Sequence, residues 1–367
     1  MPARPTLLFS GMVGAVPRQG GAAWAVLQYL LGFRRLGWDV WFVEPAPLSA
    51  AAAVGPVLEA FGFAARWAVV DVDGATAGVG RDELSAAAHR AELLINVSGA
   101  LTDAAVLDSV PVRAFLDLDP AFVQLWHAVE GVDMHLDAHT HFVTLSDSVG
   151  RTIPDCGRPW LSVLPPIAVE HWPVADRLAD DALTTVAHWR GYGSIQHGGV
   201  HYGQKAHSLR PLFELPRRVD VPLRLALGIH PDEVADLAAL HANGWQLVDP
   251  SAVAGTPDDY ARFVAGSWAE FAFAKSGYVL SDSGWFSDRS GCYLASGRPV
   301  IAMETGMSRR LPTGQGLLTF RTLDDAVAAI EELSSDYAAH RHAARAIAEE
   351  HLDATRVLPP LLEALLR

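Results

Sequence analysis

Ser283-Gly-Trp-Phe-Ser-Asp-Arg-Ser-Gly-Cys-Tyr-Leu-Ala-Ser-Gly-Arg-Pro-Val-Ile-Ala-Met303, followed by Glu304-Thr-Gly306, reads as loop, short helix, tight turn, buried strand and loop. Ser287 is a suitable N-cap, and Asp288 falls in the first turn, where the helix dipole favours negative charge. Gly297 is placed to end the helix in a left-handed conformation, with Pro299 just beyond it. Val300 to Met303 is a short apolar run suited to a parallel strand buried on both faces. A strand and helix in this order belong to a doubly wound α/β sheet, and the free helix start is suited to an anion.

The same alternation extends outward in both directions. Thr6–Ser10, Asp39–Val43, Trp67–Val72, Leu93–Val97, Val112–Leu116 and His141–Leu145 read as strands, mostly separated by alanine-rich helical segments. The rhythm breaks over 151–176, where Pro154, Pro159, Pro165, Pro166 and Pro173 suggest a linker. It restarts with strands at Leu183–Ala187, Leu223–Leu227, Trp245–Val248, Tyr278–Leu280 and Leu317–Phe320. The C-terminal residues read as helical, with Pro359-Pro360 expected to break the run. Two similar α/β halves imply two Rossmann-like doubly wound parallel-sheet domains facing a cleft, with ligands at the strands' C-terminal edges.

Composition narrows the chemistry. Twenty-eight basic against 42 acidic residues leave a net charge of −14, which argues against nonspecific nucleic-acid binding. The two cysteines, Cys156 and Cys292, are far apart and match neither a disulfide scaffold nor a zinc spacing. No apolar run approaches the ~20 residues that span a bilayer, and the chain reads as soluble and cytoplasmic. No P-loop, nucleophile elbow or H-E-x-x-H occurs, and the histidines of the 135–141 and 188–207 segments lack the company of a metal site. The loop Gly11–Gly21 follows the first strand, and Glu44 ends the second. Its glycines miss the dinucleotide fingerprint, so no nicotinamide or flavin cofactor is expected. Gly14, Arg18, Gln19 and Gly20 are instead expected to line the cleft and contact an acceptor.

The segment 188–207 carries bare glycines with Arg190 and Lys205, a composition suited to a diphosphate. Asp117 and Asp119 stand at a strand end on the expected cleft side, where one could act as a general base; capping of the next helix by Asp119 is the competing reading. His127, further along, is a weaker base candidate.

With these pieces placed, the chain resembles the GT-B glycosyltransferases, which use nucleotide sugars. Arg190 and Gln204-Lys205-Ala206 stand where many of those enzymes carry Arg and Lys-Gly. Cys292-Tyr-Leu-Ala-Ser-Gly297, Arg298-Pro-Val-Ile301, Thr305-Gly306 and Gly314-Gln-Gly316-Leu-Leu318 match their helix, strand and glycine loops. The family's spaced pair of glutamates is replaced by Gly284 and Cys292, so Asp282, Asp288 or Glu304 would have to grip the ribose.

The resemblance implies an acceptor domain over 1–165, a donor domain over 174–345 and a C-terminal helix over 346–367 packing back on the first domain. It further implies a hexosyltransferase-type enzyme with no resident cofactor or metal. Arg190, Lys205, Ser287, Asp288, Arg289, Ser290, Glu304, Thr305 and Gly306 would hold a nucleoside-diphosphate sugar, and a small molecule or glycan would be the acceptor. A nucleotide-sugar epimerase and a non-catalytic sugar-nucleotide-binding protein are the alternatives.

Overall fold

Short runs of Val, Leu, Ile and Phe become strands buried on both faces, and the helical segments between them cover those faces. The computed structural model describes residues 4–174, 178–179 and 181–367. The first sheet comprises β1 (Thr6–Ser10), β2 (Asp39–Pro45), β3 (Trp67–Val70), β4 (Thr76–Gly78), β5 (Ala91–Val97), β6 (Val112–Asp117), β7 (His141–Thr144) and β8 (Trp160–Ser162). Its order is β4-β3-β2-β1-β5-β6-β7-β8, and every pairing is parallel except that of the edge strand β4.

The second half begins with β9 (Leu183–His188) and a hairpin of β10 (Ile195–His197) and β11 (Val200–Tyr202). β12 (Leu223–Gly228), β13 (Gln246–Val248), β14 (Ala269–Ala272), β15 (Val300–Met303) and β16 (Leu317–Phe320) follow. Together with β9 they form an all-parallel sheet in the order β13-β12-β9-β14-β15-β16. In each sheet the chain runs outward to one edge and then returns to the other side of the first strand. The switch points lie between β1 and β5 and between β9 and β14, and ligands of open α/β sheets bind at such points.

The helix Gly20–Arg35 joins the two halves. One apolar core runs from Leu7, Phe9, Trp24 and Leu27 of the first half to Tyr260, Leu294 and Val300 of the second. The helix Ala354–Leu365 packs on Gly20–Arg35 at Gly32, where a Cβ would lie 2.6 Å from Leu358 and 2.7 Å from Ala354.

Three expectations are corrected. Tyr278–Leu280 is not a strand but part of the helix Ser276–Leu280; the strand of that region is β14. Ala-Glu-Phe-Ala has little of the β-branched character by which a strand is read, yet it sits wholly buried. Pro359 and Pro360 lie inside a helix rather than ending one. Ala354, Leu358, Leu361, Leu362 and Leu365 form a buried apolar face whose packing outweighs the two lost backbone donors. The break falls earlier, in the wide turn Ala348–Leu352, before Asp353 caps the helix through the Thr355 N–H. The proline-rich segment is not a free linker. β8 extends the first sheet, Ile167 exchanges backbone hydrogen bonds with Leu352 and Ala354, and Trp172 is buried; residues 175 and 176 of the expected linker lie outside the described residues.

Candidate functional site

The second sheet's switch point carries the chain's lysines. There are two of them, Lys205 and Lys275, one following β9 and the other following β14. The glycine loop after β9 is held by Trp189, which donates from Nε1 to Asp236 at 2.9 Å, and by Gln204, which accepts from the Gly191 N–H at 3.3 Å. This fixes the start of the helix Lys205–Leu209 at the sheet edge. Lys205 is half-buried, and its ammonium has no hydrogen-bond or ion-pair partner among the described residues. Burial first, then the positive charges of Arg289 and Lys275, lower its pKa to about 7, with Asp119 and Glu270 acting the other way. A desolvated, unpartnered ammonium among other cations is poised for an anion.

Arg289 stands one residue into the helix Asp288–Ala295 and turns inward. It donates to the fully buried Glu270 of β14 and, at 3.1 Å, to the Val186 carbonyl. Burial opposes the charge on Arg289, but the Glu270 carboxylate outweighs it and raises the guanidinium pKa. Arg289 therefore supplies field to the site more than a free hydrogen-bonding fork. Ser287 is the N-cap by position, although its hydroxyl caps nothing, and Ser290 is buried. Burial raises the Asp288 carboxyl against the lowering effect of Arg289.

Glu304 serves its own loop, accepting the Gly306 N–H at 2.6 Å, while Thr305 donates to the Trp285 carbonyl at 2.5 Å. Arg190 is paired with Glu233, so its guanidinium is already committed.

The departures from the glutamate pair have physical reasons. Gly284 has φ +71°, and a Cβ there would lie 2.3 Å from the Asp147 carboxylate of the first domain. Cys292 is fully buried in the interdomain packing, where Gln28 Nε2 reaches its Sγ at 3.4 Å.

On the first domain's side, Asp117 and Asp119 do not share a direction, because β6 ends at Asp117 and the alternation stops there. Asp117 is fully buried, accepting from Gln124 Nε2 at 2.8 Å, Thr144 Oγ1 at 2.7 Å and the Asp119 N–H at 2.8 Å. Burial raises its pKa to about 6 against those hydrogen bonds. No substrate can reach it, so the expected base role is corrected to an anchor of the loop after β6. Nor does Asp119 cap the following helix, whose N-cap position is Ala121. Its carboxylate lies in the cleft, accepting from Lys275 Nζ at 2.7 Å and from the Tyr192 and Tyr278 hydroxyls. His127 is partly buried, with Nδ1 unpartnered, and no hydrogen bond joins it to either aspartate.

The Gly11–Gly21 loop is also committed. The buried carboxylate of Glu44 accepts the N–H groups of Val13 and Gly14 at 2.9 Å and of Ala15 at 2.6 Å. Glu44 thus fills the nest that a cofactor phosphate would need, instead of gripping a ribose. Arg18 donates to the Ser251 carbonyl at 3.2 Å, Gln19 meets His188 at 3.2 Å and the Gly20 N–H donates to the Ala254 carbonyl at 2.8 Å. These residues span the cleft but are engaged with the second domain, while Gly14 packs against Ala50 and Val54 of its own domain.

No family model matches the chain, and no curated protein matches it in sequence. Solved structures match over the whole length. Anabaena HepE in complex with UDP-glucose aligns over 98% of this chain and 99% of its own, with TM-score 0.63 and 15% identity. An alpha-glucosyltransferase in complex with UDP aligns over 100% of both chains, with TM-score 0.62 and 11% identity. The chain has the GT-B fold. Sucrose-phosphate synthase from Thermosynechococcus elongatus shares it at TM-score 0.56 and 12% identity, over 99% of each chain. Sequence reading named Lys205 as a candidate but not Lys275, Tyr192 and Tyr278, which the structure gathers at Asp119. The available signal was the pair of lysines in a chain whose other basic side chains are arginine and histidine.

Proposed function

We propose that the chain is a glycosyltransferase that moves a sugar, of hexose type, from a nucleoside-diphosphate sugar to a hydroxyl- or amine-bearing acceptor. The observation that carries this reading is the unpartnered Lys205 ammonium beside Arg289 and Lys275 at the second switch point. A diphosphate would give the Lys205 ammonium the partner it lacks, and Lys205, aided by the field of Arg289, would stabilise the departing diphosphate as the glycosidic bond breaks. Ser287 and the amides at the start of the Asp288–Ala295 helix would add donors, with Glu304, Thr305 and Gly306 shaping the adjoining loop. The UDP and UDP-glucose complexes of the fold's other members support a nucleotide-sugar ligand.

The acceptor would enter from the first domain. A recess of about 980 Å³ lies at the C-terminal ends of β2, β3 and β5, lined among others by Pro47, Asp71, Asp73, Arg81 and Asp103. Its mixed apolar and acidic lining and the net charge of −14 favour a small molecule or glycan over nucleic acid. The alpha-glucosyltransferase of this fold has nevertheless been captured with UDP and a DNA 13-mer.

A second reading, nucleotide-sugar binding without transfer, is favoured by the burial of Asp117 and the saturation of Asp119. Turnover decides between them. Nucleoside diphosphate released in proportion to an added acceptor supports transfer. Epimerised donor supports the epimerase, and binding without turnover supports the non-catalytic reading.

A further inference from the structure

Asp119 belongs to the first domain, yet the three side chains that donate to its carboxylate come from the second. Lys275 Nζ donates at 2.7 Å, and the Tyr192 and Tyr278 hydroxyls complete the set. Both ends of the ion pair are largely out of water, the Lys275 side chain being 16% exposed and that of Asp119 22%. Lys275 also lies over the rings of Phe122, Tyr192 and Tyr278, at 5.2, 4.1 and 5.2 Å from their centroids. Phe122 is the first domain's contribution to this cage.

The β10–β11 hairpin closes the arrangement from outside. It leaves the second domain after β9, and its Ile195 and Tyr202 pack with Phe122, Leu125 and Ile153 of the first domain. Separating the domains here would strip the Asp119 carboxylate of its three donors and leave the Lys275 ammonium without its carboxylate. Breaking such a buried pair is costly because the remaining charge is left uncompensated.

We propose that Asp119, Lys275, Tyr192 and Tyr278, strapped by the β10–β11 hairpin, form a latch that holds the mouth of the interdomain cleft shut. Asp119 is then a holding group and not the general base. The apolar packing around the Gly20–Arg35 helix persists when the latch opens, so opening is a rotation about that helix. The latch does not rest on the sugar-transfer reading.

Hydrogen exchange of the full-length, ligand-free protein tests it, comparing wild type with Asp119→Asn and Lys275→Met. The expected result is exchange faster by roughly tenfold or more in 195–202 and in Phe122–Ala128, with the Gly20–Arg35 helix unchanged. Unchanged exchange in the hairpin overturns the latch. If either variant loses protection everywhere, the double variant Tyr192→Phe with Tyr278→Phe decides. It keeps the ion pair and the aromatic cage but removes two donors. Selective loss at the hairpin then supports the latch, and protection equal to wild type, or again lost everywhere, overturns it. Nucleotide-binding assays report separately on the proposed function.

Discussion

The two halves of the molecule meet along two seams built from opposite kinds of chemistry. Around the Gly20–Arg35 helix the contact is mainly apolar: Trp24 packs at a tilt against Trp172, with centroids 4.6 Å apart, and Gly21 abuts Tyr260. At the cleft mouth the contact is charged and hydrogen-bonded. Asp119 meets Lys275, and Ser146 Oγ donates to the Ser283 carbonyl at 2.5 Å. Arg309 bridges Asp147 and Asp282, at 2.7 Å from each. Apolar contact offers no charge for salt to screen or a charged ligand to pair with; ion pairs offer both. The first seam suits a hinge and the second a face that responds to what enters the cleft.

The apolar seam should be the harder one to lose. Trp24 is 3% exposed, and Trp24→Ala should lower the unfolding free energy by about 3–5 kcal/mol in denaturant titrations. A loss below 1 kcal/mol would show that the seam is not structural. Next in size is the ligand response of the polar side. Lys205→Ala should weaken nucleotide-sugar binding by about tenfold or more, read by calorimetry, without lowering the melting temperature.

The same lysine sets a pH dependence. With its pKa lowered to about 7, the ammonium that would hold the diphosphate is present below pH 7 and lost above it. Nucleotide sugars keep a constant charge through this range. Their affinity should therefore fall by up to about tenfold per pH unit above 7, and Lys205→Arg should abolish the dependence. The smallest effect belongs to Arg309→Ala, which removes a partly exposed bridge. A loss of about 0.5–1 kcal/mol is expected, shrinking further in high salt.

These two seams also differ in how far the sequence revealed them. Local pattern was sufficient for the elements: Ser287, Gly297 and Val300–Met303 form the N-cap position, the left-handed turn at φ +65° and the buried strand that were expected. Lys205 stood out as a candidate because its glycine-rich setting is local. The partners of a charge were not. Arg190 is matched to Glu233, Asp119 to Lys275 and the glycine loop to Glu44, across 43, 156 and about 30 residues of chain. No periodicity records such pairings. Pro359 and Pro360 misled for a related reason: local propensity against a helix was overruled by the apolar face that docks at Gly32.

The central claim is that the Lys205 ammonium takes the diphosphate of a sugar nucleotide. Calorimetric titration of a panel of nucleoside-diphosphate sugars into the wild type and Lys205→Ala at pH 6.5 tests it most directly. The account predicts that at least one of them binds the wild type and binds the variant about tenfold or more weakly. Equal binding to both proteins, or no binding to the wild type by any of them, would contradict it.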